Sequence, residues 1–200
     1  RVLTRSWAEA HGFPGASIQE EELPRVAQFL SVVQADEYLR TTLFVGGLRD
    51  RVAEHLARLL GQQEPKSRVM DPTPIDELMR RCGREQRRRD ANDPHRVLAS
   101  LPLPIYITAN PDDLLFDALV EAGKAPQREF CRWTCRADFP PGIYQQEPGF
   151  EPTALRPLVY YLFGHLSDPV SIVLTMDDYL DHLIAVAQDQ ELLPRIVRGA

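Results

Sequence analysis

The segment from Leu103 to Gly123 narrows the choice of fold more than any other part of the chain. Its first six residues, 103–108, are mostly apolar and partly β-branched, which is typical of a short buried strand. Asn110 and Pro111 follow, a pair favoured at the N-cap and first position of a helix. Apolar side chains then recur at helical spacing: Leu114, Leu115, Ala118, Leu119 and Ala122. A strand that turns directly into a helix is half of a βαβ unit and predicts a parallel sheet.

The last third of the chain has the same alternation of strand and helix. Residues 158–163 predict a second buried strand, ended by Gly164, and residues 171–174 predict a third extended run. Thr175 is expected to cap a final helix with an apolar stripe of Tyr179, Leu180, Leu183, Ile184 and Ala187. The fold class is therefore α/β, with a Rossmann-like, doubly wound parallel sheet. Ligands of such sheets bind beyond the carboxyl ends of the strands, so loops 109–112 and 164–168 are the expected site.

The first half of the chain has the pattern of helices. One apolar stripe comprises Leu23, Val26, Ala27, Leu30 and Val33, and a second comprises Leu48, Val52, Leu56 and Leu59, after a predicted break at Gly46 and Gly47. Residues 62–74 are interrupted by prolines and predict a loop. We interpret the chain as a single domain over residues 1–200, with a mainly helical insert at 23–100 and a Rossmann-like core at 101–200. Within the core, residues 132–157 lack periodicity and predict a long excursion, either a lid or a small subdomain.

The charge balance bears on the partners of the protein. The 23 Lys and Arg residues and 29 Asp and Glu residues give a net charge of −6. Non-specific binding to nucleic acid depends on neutralising phosphates, so a net-acidic chain is poorly suited to it. No apolar run approaches the roughly 20 residues that a transmembrane helix needs, and no signal peptide is recognisable. We expect no direct nucleic-acid partner, no membrane and a cytoplasmic location.

Two clusters of residues have some features of a binding site, one of a zinc site and one of a site for anions. Cys131 and Cys135 are four positions apart and Cys82 is far upstream, so the tight four-ligand clamp of structural zinc is missing. We predict free thiols and no metal site. Residues 80–90 hold six arginines. One interpretation is a patch that binds phosphates or an acidic partner, and the other is a solvated helix face. The solvated face is the favoured interpretation.

Three segments resemble one known family. Residues 108–112, Thr-Ala-Asn-Pro-Asp, resemble the T-x-N-x-D motif of the sirtuin (SIR2) superfamily, and 103–115 are similar to the SIR2-like domains of bacterial multidomain proteins, many of them anti-phage defence effectors. Residues 158–180 resemble the family's glycine turn followed by S-x-V-L-T-x-D-D-Y. Residues 7–13 and 23–30 are similar to the helical insert of the same subgroup. The three segments occur in the family's order and span most of the chain.

The resemblance implies an NAD⁺ site at the carboxyl edge of the sheet. Sirtuins use this site for deacylation, whereas defence-type members cleave the nicotinamide–ribose bond. By resemblance, Asn110 orients the ribose and a water molecule, Asp112 holds the nicotinamide carboxamide, and Thr108 and Gly164 complete the NAD⁺-binding set. The alternative for Asn110 and Asp112 is a capping role at a helix start, where both residue types are common.

Departures from the family pattern leave catalysis open. Phe163 occupies the position of the family's catalytic histidine, and a phenyl ring cannot accept a proton. His165, two residues later, is the candidate substitute; its alternative is an exposed loop imidazole. The glycine-rich G-A-G-x-S loop is missing, since no strand precedes Gly15-Ala16-Ser17. The C-x-x-C zinc module of sirtuin deacylases is also missing, which argues against deacylation.

Two functional hypotheses follow from the resemblance. In the first, the chain is a SIR2-like module that cleaves NAD⁺, an effector within a larger bacterial, defence-like protein. In the second, it is a catalytically degenerate module that acts as a nucleotide sensor or an oligomerisation platform. We expect NAD⁺ as substrate or ligand, other domains of a longer chain and a second copy of the chain as partners. The motif order also predicts a domain truncated at both ends, with the first strand before Arg1 and a last strand after Ala200.

Overall fold

The structure is a computed structural model that describes residues 2–14, 22–61 and 73–199. Its centre is a parallel sheet of three strands, β1 (Ile105–Thr108), β2 (Gln127–Phe130) and β3 (Leu158–Tyr161), in the order β1-β3-β2. Thr108 pairs with Tyr161, and Phe130 also pairs with Tyr161, so all three strands end at the same edge. The predicted α/β class and parallel sheet are confirmed.

Helices lie on both faces of the sheet, as a doubly wound fold requires. On one face, Val159 and Tyr161 pack with residues of α5 (Pro94–Ser100) and α6 (Leu114–Glu121). On the other face, Leu158 and Tyr160 pack with α7 (Ile143–Gln146), α8 (Met176–Gln188) and α9 (Arg195–Arg198). All four residues of β3 are buried, which explains the uninterrupted apolar character of that segment.

The predicted helical insert contains only helices among its described residues. They are α2 (Leu23–Val33), a π-helix (Tyr38–Gly46), α3 (Gly47–Leu59), α4 (Ile75–Arg89) and α5, and α1 (Val2–His11) precedes them. The predicted break at Gly46 and Gly47 is wrong, because both residues have helical φ angles of −62° and −64°. Glycine at 47 instead lets Leu3 of α1 approach, since a Cβ there would lie 2.8 Å from its side chain. The division at residue 101 stays a prediction.

The structure corrects further expectations about the core. Residues 171–174 form no strand; a 3-10 turn (Pro169–Ser171) occupies their start, and the third strand is β2. The helix after β1 begins at Leu114 rather than Pro111, because Pro111 accepts a hydrogen bond from Leu166 N (2.8 Å) within an irregular turn. The excursion 132–157 covers one face of the sheet through its buried residues, Trp133, Ile143 and Phe150, and its description as a lid or a small subdomain stays a prediction.

The apolar stripe of α8 faces outward. Leu180, Leu183 and Ile184 are about half exposed, whereas Asp178 and His182 are buried. Thr175 caps the helix as predicted, and together with Asp178 it forms a capping box. Because Asp178 is also bound to the helical insert, this contact sets the rotation of α8 about its axis and turns the stripe away from the core.

A buried ion pair joins the helical insert to the sheet core. Arg40 of the π-helix donates to both carboxylate oxygens of Asp178 (2.9 and 2.7 Å) and to the carbonyl of Ile172 (2.7 Å). Asp178 Oδ2 also accepts from the backbone N–H groups of Leu174 and Thr175, both at 3.0 Å. Burial opposes ionisation of Asp178, but these donors outweigh it and lower the pKa of the carboxyl. The insert therefore holds the chain that follows β3 in place.

Some of the sequence predictions lie outside the described residues: those on Gly15-Ala16-Ser17 and most of the loop 62–74. In the described parts of the chain, no helix combines the length and the apolar character that crossing a membrane requires.

Candidate functional site

The carboxyl edge of the sheet brings the two predicted loops into contact. Leu162 N donates to the carbonyl of Thr108 (2.9 Å), and Leu166 N donates to the carbonyl of Pro111 (2.8 Å). The turn after β1 and the turn after β3 therefore form one continuous surface. Thr108, Asn110, Asp112, Gly164 and His165, which the sequence selects, all lie in these two turns.

The turn after β1 leaves one amide side chain available. Asn110 N donates to Thr108 Oγ1 (3.0 Å), and this bond fixes the turn. Asp112 Oδ1 accepts from Leu114 N (3.0 Å) at the start of α6, and partial burial raises the pKa of its carboxyl. The Asn110 side chain is exposed, and its amide has no hydrogen-bond partner among the described residues. One carboxylate oxygen of Asp112 is thus used at the start of α6, whereas the Asn110 side chain is free to bind a ligand.

Asp113, which sequence reasoning missed, is the centre of the hydrogen-bond network at this edge. Its Oδ1 accepts from Tyr161 Oη (2.5 Å) and Arg128 Nε (3.1 Å), and its Oδ2 accepts from Arg128 Nη2 (2.9 Å). Burial opposes ionisation, but the neighbouring His165, Arg128 and Tyr161 hold the pKa of the Asp113 carboxyl well below its usual range. Burial and the adjacent carboxylate raise the pKa of Tyr161, so the phenol stays protonated and donates a hydrogen bond to Asp113. The guanidinium of Arg128 also lies 3.4 Å from the ring centre of Phe116.

His165 lies beside this network and is buried, so the alternative of an exposed loop imidazole is wrong. Its Nε2 is 3.3 Å from Asp113 Oδ1, within ion-pair distance but poorly aligned for a hydrogen bond. Its Nδ1 lies 2.9 Å from Ser167 Oγ and 3.1 Å from Ser167 N. A catalytic role for His165 stays a prediction.

Phe163, at the position of the family's histidine, packs against other rings. Its ring centre lies 5.1 Å from that of His182 and 6.4 Å from that of Tyr179. His182 is buried, and burial lowers the pKa of its imidazole, so the ring is neutral. Its Nε2 donates to the carbonyl of Leu162 at 3.1 Å. These contacts are those of a core cluster rather than of an acid–base pair.

Gly164 shapes the turn after β3 through its backbone. Its φ of +84° is in the left-handed region that favours glycine, and a Cβ would collide with the Ser171 carbonyl group. That carbonyl accepts from Trp133 Nε1 (2.8 Å), and Ser171 Oγ accepts from His165 N (2.9 Å). The glycine therefore allows the close contact that brings His165 to the sheet edge.

Comparison with known proteins identifies the part of the chain that carries this edge. Residues 104–200 match the family model described as the SIR2-like domain. This half of the chain is a SIR2-like domain. It is also similar to the NAD(+) hydrolase ThsA of Enterococcus faecium, with 33% identity over 90 residues. The aligned stretch is 45% of this chain but only 16% of that relative. The expected family and fold are confirmed.

The cysteines and the arginine run are the two other clusters that the sequence singles out. Cys82 and Cys131 are buried free thiols, and Cys135 is an exposed one. In the described ranges, no group of three or more His, Cys, Asp or Glu side chains is arranged to hold a metal ion. Arg80, Arg84, Arg87, Arg88 and Arg89 each lie within 4 Å of a carboxylate on α4 or α6. Most of the arginine run is thus a salt-bridged helix face, but Arg87 is buried.

The Asp113 network makes a testable contribution to stability. We expect Asp113→Asn to lower the free energy of unfolding by about 2 kcal/mol at pH 7, because it removes charge-assisted hydrogen bonds from Tyr161 and Arg128. The pKa is lowered in the folded state, so the carboxylate stabilises the fold above its unfolded pKa of about 3.9 and loses that effect as the pH falls. Urea unfolding at pH 7, 5 and 3.5 should therefore show the difference from wild type shrinking at the lowest pH.

Tyr161→Phe is the matched control for this measurement. It removes one hydroxyl but keeps the carboxylate and the ring packing, so we expect a loss of about 1 kcal/mol. A gap between Asp113→Asn and wild type that is unchanged at pH 3.5, or wider there, would contradict the lowered pKa.

Proposed function

We propose that the SIR2-like domain binds NAD⁺ at the carboxyl edge of the sheet and hydrolyses the bond between nicotinamide and ribose. The observation that carries the proposal is the exposed Asn110 amide at the end of β1, without a partner among the described residues and next to Asp112. The family of residues 104–200 and the similarity to an NAD(+) hydrolase support the same choice of ligand.

The residues at this edge fit the nicotinamide–ribose half of NAD⁺. An amide both donates and accepts, which suits ribose hydroxyls and a water molecule, and a carboxylate accepts from the NH₂ of the nicotinamide carboxamide. The carboxylates of Asp112 and Asp113 also favour a cationic ring nearby. The Thr108 hydroxyl holds the backbone of Asn110, and Gly164 keeps the facing turn close. We therefore assign Thr108, Asn110, Asp112 and Gly164 to binding.

The chemical step needs stabilisation of positive charge and an acceptor for one proton. The bond between C1′ of the ribose and the nicotinamide nitrogen breaks, nicotinamide leaves with the electron pair, and water bonds to C1′. Asn110 orients the ribose and the water, and the oxygen dipole of its amide faces the charge that develops at C1′. The water loses one proton, giving ADP-ribose, nicotinamide and H⁺.

We assign the acceptance of that proton to His165, since Phe163 has no group that takes part in acid–base chemistry. Before His165 Nδ1 can accept a proton from the water, it must separate from Ser167, whose Oγ is 2.9 Å and whose N is 3.1 Å away. The wild-type turnover is therefore expected to be slow. Loss of nicotinamide release in His165→Ala would support this role, and unchanged turnover would exclude it.

Asn110→Ala is the experiment that tests the proposed function. We expect the rate of nicotinamide release from NAD⁺ by the full chain, measured by chromatography, to fall about 100-fold, the usual effect of removing one oriented polar group from a reaction centre. Asn92→Ala is the matched control. Asn92 is the chain's other asparagine, and it is exposed in the turn between α4 and α5. Equal rates for wild type and Asn110→Ala would refute the assignment.

The second candidate is a degenerate module that binds NAD⁺ without cleaving it. Phe163 favours this function, because its side chain is packed against His182 and Tyr179 at the position expected for the base. Calorimetric titration with NAD⁺ distinguishes the two candidates. Binding that depends on Asn110, without release of nicotinamide, identifies the degenerate module.

We further propose that the domain is an effector module of a longer bacterial protein of the defence type, active in the cytoplasm as a homo-oligomer. The small share of the relative that is aligned, 16%, is compatible with a modular protein. Light scattering coupled to size-exclusion chromatography tests the oligomer directly, and a monomer at all concentrations would exclude it.

A further inference from the structure

A cleft of about 400 Å³ lies between α4, α5 and α6, away from the sheet edge. Its lining includes three alanines, of which Ala99 and Ala118 are buried and Ala122 is exposed, and its polar rim includes Arg87, Arg88 and Arg96. The volume is within the range of small-molecule sites, roughly 300–1,000 Å³. The cleft thus combines an apolar surface with clustered guanidinium groups.

Two of the three arginines remain available to an anion. Arg87 donates to both oxygens of Glu121 (2.8 Å each), and Arg84 Nε is 3.6 Å from Glu121 Oε1, so the carboxylate at the cleft is neutralised. Arg96 makes one long contact, 3.4 Å, to the carbonyl of Arg87.

Arg88 is held only weakly by the protein. Its side chain is 75% exposed, and Nη1 is 3.3 Å from Glu85 Oε2. Arg89 binds the same Glu85 carboxylate more closely, with Nε 2.7 Å from Oε1. Glu85 therefore keeps a partner if Arg88 turns into the cleft. The local charge is positive in a chain whose net charge is −6.

We propose that this cleft binds a small molecule that carries a phosphate group and a flat apolar portion. The planar guanidinium groups of Arg88 and Arg96 match the oxygens of a phosphate, which they bind as charge-assisted pairs. The alanine side of the cleft, where Ala122 is exposed, accommodates the flat portion. The cleft and the NAD⁺ edge lie towards opposite ends of α6, because Asp113 immediately precedes Leu114, whereas the α6 side of the cleft is lined by Ala118, Glu121 and Ala122. Arg87 extends from the cleft to the carbonyl of Leu114 (3.3 Å).

Calorimetric titration of the full chain with inorganic phosphate and with phenyl phosphate tests the proposal. We expect saturable binding of both, with phenyl phosphate at least fivefold tighter because its ring covers the alanines. The double variant Arg88→Ala/Arg96→Ala should bind each compound at least tenfold more weakly. Absence of saturable binding to wild type would overturn the proposal.

Two variants separate a specific site from general attraction to positive charge. Arg81 is an exposed arginine on α4 that does not line the cleft, so Arg81→Ala should change the affinity by less than twofold. An equal loss in Arg81→Ala and in the double variant would refute the site. Ala122→Leu, at an exposed position, should fill the apolar side and abolish the preference for phenyl phosphate. A preference that survives this change would exclude the alanine surface as the part that binds the ring.

Discussion

Replacing Gly164 with alanine should lower the free energy of unfolding by about 2–5 kcal/mol, as measured by urea denaturation. A left-handed φ of +84° costs any other residue about 1–2 kcal/mol, and the new Cβ would overlap the Ser171 carbonyl group, which adds an overpacking cost of about 1–3 kcal/mol. Moving the Ser171 carbonyl away from the new Cβ would disturb the hydrogen bond that it accepts from Trp133. The turn that holds His165 at the sheet edge would then shift as well.

Gly123→Ala is the matched control for this prediction. Gly123 has nearly the same φ, +79°, but a Cβ there would meet nothing within 4 Å. Only the conformational cost of about 1–2 kcal/mol should remain. Equal losses in the two variants would show that the contact between Gly164 and Ser171 contributes nothing.

Asp178→Asn should destabilise the protein by about 3–5 kcal/mol, the usual cost of removing one partner from a buried ion pair. Arg40, which is 1% exposed, would keep only the half-exposed Asp36 as its counter-charge. The amide would also weaken the hydrogen bonds with which Asp178 Oδ2 binds the backbone N–H groups before α8. The helical insert and the sheet core would lose their shared anchor.

Asp36→Asn removes the other carboxylate that contacts Arg40. Its side chain is 48% exposed, so the pair is screened by water and the expected loss is about 0–1 kcal/mol. Losses of similar size for Asp36→Asn and Asp178→Asn would contradict the central role of the buried pair.

The parts of the fold that the sequence predicted well are those with a strong apolar signal. β3 is buried along its whole length, and its residues form an unbroken apolar and aromatic run. β2 has no such signal, because it reads Gln-Arg-Glu-Phe at the edge of the described sheet. Arg128 is there to bind Asp113, and Glu129 accepts from the backbone N–H of Tyr144 (3.1 Å) at α7. Polar contacts between distant segments, not periodicity, make this segment a strand.

The candidate site was predictable only where its residues are adjacent in the chain. Thr108, Asn110 and Asp112 lie within one turn, and resemblance to a family motif selected them. The Asp113 network joins three segments, and its members become neighbours only when β2 is placed next to β3. Two adjacent aspartates, Asp112 and Asp113, were the one available signal. The structure divides their roles, since Asp112 binds the start of α6 and Asp113 binds Tyr161 and Arg128.

The central claim is that NAD⁺ binds at the carboxyl edge formed by the turns after β1 and β3. Titration of the isotope-labelled chain with NAD⁺, followed by backbone amide NMR, tests this claim most directly because it locates the ligand whether or not cleavage occurs. We predict saturable shifts at residues 108–113 and 164–167, with little change at residues 88–100 around the arginine cleft. Shifts concentrated at the cleft, or no saturable shifts at the edge, would contradict the claim.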